Sequence, residues 1–277
     1  MSRRNLEERP QPGPEQQPRW SQTQKKAAAL AAGIVAVLIL SGAVYSVVDG
    51  PFSSGAASPS PSGPLKAVIV DQLSLTAPNP NFAETATETL KDGGYTVDYF
   101  PGEEVTVDFY RGLAARGYDL VLLRTHSARL KQEWQGQTLD QVVLFTGEPY
   151  SEKEYIYEQQ QGQLAIARYF DDSEPLFGIA PEFIRSSMPG SFDRSTVIVM
   201  GCEGLGSEET AQSFVGKGAK TVIGWDGLVS AAFTDAATED LIDLLVNQDL
   251  PPAEAVATTM ADLGPDPTYG SELRLLE

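Results

Sequence analysis

The chain has 277 residues, room for one large domain or two small ones, and carries a net charge of −18 with a single cysteine and a single histidine. A lone cysteine excludes an internal disulfide, and one cysteine with one histidine lacks the company a zinc site needs, so neither a metal nor a cofactor is expected. So acidic a surface repels phosphate backbones, and no basic stripe interleaved with aromatics is present, which sets nucleic acid aside as a partner.

The charge is unevenly placed. Residues 1–26 form a basic tail in which Arg3, Arg4, Arg9, Arg19, Lys25 and Lys26 outnumber Glu7, Glu8 and Glu15, so the rest of the chain is more acidic than the total implies. Ala27 to Val48 is then an uncharged run of 22 residues, AAALAAGIVAVLILSGAVYSVV. At about 1.5 Å per residue it is long enough to cross the ~30 Å hydrocarbon core of a bilayer. Its length exceeds the apolar region of a cleaved signal peptide, the rival reading, for which cleavage would fall near Gly55 to Ala57. An uncleaved single-pass anchor at residues 27–48 is therefore expected. By the positive-inside rule it holds the N-terminus in the cytoplasm and the following domain on the outer side of the cell membrane. Residues 49–64 are rich in Ser, Pro, Gly and Ala and read as a flexible stalk.

From residue 65 to 277 short apolar runs alternate with helical stretches. Ala67 to Val70 predicts a buried strand, Phe82 to Lys91 a helix stopped by Gly93-Gly94, and Thr96 to Phe100 a second strand. A helix follows over Val107 to Arg116, then a third strand at Leu120 to Leu123. Val142 to Phe145 and Leu164 to Phe170 read as strands of an added hairpin, separated by a polar stretch around Tyr150 to Gln163. Thr196 to Met200 and Thr221 to Ile223 are further strands. Helices are expected over Glu208 to Gly216, over Ala231 to Asn247 and after Pro251-Pro252, and the closing residues read as an ordinary tail. Continuous β-rich runs separated by helices predict an α/β fold, a mainly parallel central sheet with helices on both faces.

In such sheets ligands and catalytic groups gather beyond the carboxyl ends of the strands. His126 follows LVLLRT and Cys202 follows TVIVMG, so both belong to that edge. Either alone is an ordinary structural residue. Together they are the only thiol and imidazole in the chain, in equivalent positions. Gly201, Gly204 and Gly206 allow a tight turn around the cysteine. Amide hydrolysis needs a nucleophile, an acid–base group and oxyanion donors. Cys202, His126 and the backbone N–H groups of Ser127 and Cys202 are the candidates.

The blocks DLVLLRTHSA and STVIVMGCEGL, with His126 and Cys202 76 positions apart, resemble the histidine and cysteine blocks of the caspase-like (clan CD) cysteine peptidases. The segment SFVGKGAKTVIGWDGLVSAAFTDAATEDLIDLLVNQDLPPAEAV is similar to the CHAT and gingipain-like members in particular. The resemblance covers roughly Lys66 to Met260. It implies a three-layer caspase-like sandwich and a cysteine endopeptidase acting on a peptide or protein substrate. Ser127 stands where the group commonly has glycine, and the Gln-Ala that precedes the cysteine of caspases is missing. The resemblance also implies that the residue after Trp225 faces the substrate's P1 side chain. Here that residue is Asp226, which would favour Arg or Lys, unless it simply begins the turn with Gly227. Asp71 is a second candidate pocket acid or a turn residue, and Glu203 either tunes the nucleophile or is solvated surface. Two other classes stay open: an inactive caspase-like domain that displays a binding surface, and a redox or acyl-transfer role for the thiol, which lacks a resolving cysteine. Oligomeric state is not readable.

Overall fold

The computed structural model describes residues 63–134, 137–193 and 195–277. The basic tail, the apolar run at residues 27–48 and the stalk up to residue 62 lie outside the described residues. Among the described residues no helix is long and apolar enough to cross a membrane.

The chain builds a mixed α/β domain around a six-stranded, mainly parallel sheet. Its strands are β1 (Leu65–Asp71), β2 (Tyr95–Pro101), β3 (Leu120–Arg124), β8 (Thr196–Val199), β9 (Thr221–Trp225) and β10 (Leu273–Leu276), in the order β10-β9-β8-β3-β1-β2. Only β10 runs antiparallel to its neighbour. The alternation of a strand divides two cores. Val68 and Val70 of β1 face one side, where they meet α2 (Val107–Leu113), α4 (Pro181–Ser186) and α5 (Glu208–Gly216). Ala67 and Ile69 face the other side and pack on α1 (Pro80–Asp92), α6 (Ala231–Val246) and α7 (Pro252–Leu263). The first helix reads plainly from its residues. In α1, Pro80 opens the first turn, the Asn79 side chain accepts from the Phe82 N–H, and Phe82, Ala86 and Leu90 form one buried stripe. Gly94, at φ 86°, lets the chain turn out of it.

The middle of the chain departs from the expected hairpin. It forms a second, four-stranded antiparallel sheet of β4 (Ser127–Trp134), β5 (Gln137–Pro149), β6 (Leu164–Ala167) and β7 (Leu176–Ile179), in the order β4-β5-β7-β6. The strands expected to pair, β5 and β6, are separated by β7, and the long partner of β5 is β4. Neither β4 nor β7 carries a continuous apolar run: SARLKQEW alternates charged and apolar residues, and LFGI is four residues interrupted by glycine. Gly178 is required, because a Cβ there would fall inside contact distance of Val143. The short helix α3 (Ile156–Gln160) lies in the polar stretch between β5 and β6. The closing residues are also more than a tail, since β10 covers the edge of β9 with Leu273 opposite Trp225.

One buried charge joins the layers. Arg124, the last residue of β3, is 0% exposed. Its Nε and Nη2 donate to the two carboxylate oxygens of Asp235 on α6, at 2.7 and 2.8 Å, and its Nη1 donates to Asp71 at the end of β1, at 2.6 Å. Nη2 also donates to the Ala77 carbonyl at 2.9 Å. The remaining carboxylate capacity is met by Tyr99, whose hydroxyl donates to Asp71, and by the Asn79 amide, which donates to Asp235. Removing one partner of a buried ion pair strands the other, at a cost of roughly 3–5 kcal/mol. Asp235→Ala is therefore expected to lower the unfolding free energy by about that amount, read from the midpoint and slope of urea denaturation.

Candidate active site

The sheet order places the carboxyl ends of β1, β3, β8 and β9 side by side, and the point where the strand order reverses lies between β1 and β3. The register of β3 and β8 does the rest. Leu123 pairs with Val199, and His126 and Cys202 each follow three residues later. The two residues line one cleft of ≈ 70 Å³, walled by Leu73 from the β1 loop, Met200 and Gly201 from the β8 loop, Val229 from the β9–α6 connection and Thr234 from the first turn of α6.

His126 is held by groups of the loop after β1. Its ring Nε2 lies 2.8 Å from Thr76 Oγ1, and its backbone N–H donates to Gln72 Oε1 at 3.0 Å. Gln72 is itself buried, and its amide donates to Tyr169 Oη and the Thr146 carbonyl. The imidazole leans on the rings of Tyr169 and Phe145, with centroids 4.9 and 5.9 Å away. Burial, and then the nearby Arg124 charge, push its pKa below the ordinary imidazole value. The ring is therefore neutral at neutral pH. With Nε2 engaged by Thr76, Nδ1 is the nitrogen left for proton exchange.

Cys202 sits on a turn clamped from both sides. Its Sγ is 3.5 Å from the Val229 carbonyl, and its own carbonyl accepts from Ser127 Oγ at 2.6 Å. The next N–H, of Glu203, donates to the Gly227 carbonyl at 2.7 Å, and Leu205 N–H donates to Trp225. Glu203 adopts a left-handed φ of 55°, and its carboxylate lies 3.5 Å from Arg129. Among the described residues no group accepts from Cys202 N–H. Phe145 N–H donates to the His126 carbonyl, which makes Ser127 and Leu144 a non-hydrogen-bonded pair and turns Ser127 N–H away from β5.

The remaining candidates lie elsewhere. Asp71 is 1% exposed and committed to Arg124 and Tyr99, beneath the cleft and not in its wall. Trp225 is buried under the cleft, where its Nε1 donates to Thr234 Oγ1, which in turn donates to the Met200 carbonyl. Asp226 is exposed and faces the chain's end: its carboxylate accepts from Glu272 N–H and from Arg274 Nε. Gln72 and Thr76, the two groups that hold His126, went unread in the sequence. Their only signal is position, directly after the first strand. No group of three or more His, Cys, Asp or Glu side chains among the described residues is placed to hold a metal ion.

The closeness of the two loops depends on Gly201. A Cβ there would fall inside contact distance of Ser127 Oγ and the Thr125 carbonyl. Gly201→Ala is expected to cost about 1–3 kcal/mol in urea unfolding, as overpacking does, and Ser127→Gly in the same chain should recover part of it by removing one of the two collisions. Additive losses in the double variant would contradict this account. No protein-family model matches the chain, and no curated protein matches it.

Proposed function

We propose that this chain is a cysteine endopeptidase of caspase-like architecture, with Cys202 as nucleophile and His126 as acid–base. One observation carries the reading: the only thiol and the only imidazole of the chain line the same cleft at the carboxyl ends of adjacent parallel strands.

A neutral imidazole takes the thiol proton as sulfur attacks the carbonyl carbon, so no resting ion pair is needed. The N–H groups of Cys202 and Ser127 donate to the oxyanion. The imidazolium then protonates the leaving amine, and water hydrolyses the thioester. Thr76 acts as a positioning residue, steadying Nε2 while Nδ1 exchanges the proton. Asp226 is bonded to Arg274 and Glu272, so the proposal names no charge preference at P1. The apolar run at residues 27–48 and the basic tail before it place the catalytic domain on the outer side of the membrane.

A second reading rests on the size of the cleft. A volume of ≈ 70 Å³ holds a few waters and no large side chain, which favours a domain that displays a surface without turnover. The test is hydrolysis by the full chain of fluorogenic peptides carrying every P1 residue, with Cys202→Ala as control. Cleavage that vanishes in Cys202→Ala is expected. The lowered imidazole pKa predicts that the acid limb of kcat/KM falls below pH 6.5, since neutral His126 survives to more acidic conditions. No cleavage, with no labelling of Cys202 by peptidyl fluoromethyl ketones, would select the display reading.

A further inference from the structure

A groove of ≈ 220 Å³ lies on the small sheet, and the catalytic reading does not use it. Val143 and Phe145 of β5 line it, with Ala128 of β4 on one wall and Ala165 and Ala167 of β6 on the other. Its Phe145 wall also flanks the imidazole. Phe145 lines the groove and touches the His126 ring, and Tyr169, two residues beyond Ala167, stacks on both of them.

Its chemistry is narrow. Apolar side chains dominate the walls, and the two cations at the rim already have partners. Arg129 makes a two-pronged bond to Asp140, and Arg168 donates to the Ser173 carbonyl. Sites for drug-sized ligands run about 300–1,000 Å³, so a recess of this size takes one side chain and not a cofactor. Direction follows from the acid–base role. The imidazole hands its proton to the leaving amine, so the part of a peptide after the scissile bond passes over the His126 side of the cleft, the side on which the groove opens.

The geometry points to a specificity subsite in this groove for a large aliphatic or aromatic side chain in the first two positions after the scissile bond. The assignment rests on the peptidase reading, and it adds a substrate class to it: proteins cut before an apolar residue.

The experiment uses the full chain and internally quenched peptides that differ only in carrying Leu, Phe, Asp or Lys in those two positions. Leu and Phe peptides are expected to be cleaved about tenfold faster in kcat/KM than Asp and Lys peptides, the order of discrimination an apolar pocket provides. Ala165→Phe and Ala128→Phe fill the groove from opposite walls, and each should bring that ratio close to one. Ala128 is exposed, so its replacement leaves the core untouched. Cleavage with no preference, or a preference that both variants leave intact, overturns the subsite while the peptidase stands. If no peptide is cleaved, the peptidase reading fails, and anisotropy of the same labelled peptides on Cys202→Ala decides the groove. Tighter binding of the Leu peptide, lost in Cys202→Ala/Ala165→Phe, retains it as a side-chain site; equal or absent binding removes it.

Discussion

The molecule is organised around the Arg124 guanidinium, a charge with no access to solvent. Such a group is tolerated only when its donors are matched, and here the planar fork reaches Asp71 on β1, Asp235 on α6 and the Ala77 carbonyl in the loop between β1 and α1. Burial pulls the Arg124 pKa down, but Asp235 and Asp71 outweigh it and the net shift is upward, so the charge stays on. Two consequences reach the site. The loop pinned through Ala77 carries Gln72 and Thr76, the groups that hold His126. The same positive charge, after burial itself, disfavours the imidazolium. Scaffold and the setting of His126 are therefore tied to one residue.

Around that anchor, the cleft is built by close backbone approach. Gly201 lies against the His126 loop, and a Cβ on Gly224 of β9 would meet Gly204 backbone at 3.2 Å. Ser127 then makes use of the proximity, because its hydroxyl reaches the Cys202 carbonyl. Ser127 thus supplies a clasp between the two loops. Its N–H is turned away from β5.

Where apolar runs are continuous, the fold was legible. The strands at AVIV, LVLL and TVIVM and the helix over Glu208–Gly216 follow directly from periodicity. In the small sheet β5 and β6 were legible and β4 and β7 were not, since SARLKQEW has no continuous apolar run and LFGI owes its place to Gly178 packing under Val143, a contact across 35 residues. For the site, counting one cysteine and one histidine sufficed to find the pair. It could not tell which acids would face it. Asp71 and Asp226 carry the same charge in the same kind of position, but Asp71 meets Arg124, which is 53 residues away, and Asp226 meets Arg274, which is 48 away. Partners that distant leave no local mark.

The pairing of β3 with β8 has an implication for how such chains change length. His126 and Cys202 line one cleft because each stands three residues beyond the paired Leu123 and Val199. Everything between the two strands, the whole four-stranded sheet included, is looped out of that relation. Turns in the intervening segment can change length without altering that register, so long as Ser127, Phe145 and Tyr169 keep their contacts with the Cys202 and His126 loops. A single residue gained or lost within either strand would instead turn one of them to the opposite face. The distance between the two residues along the chain is thus a poor marker of kinship, and their distance from the last rung of the ladder is a good one.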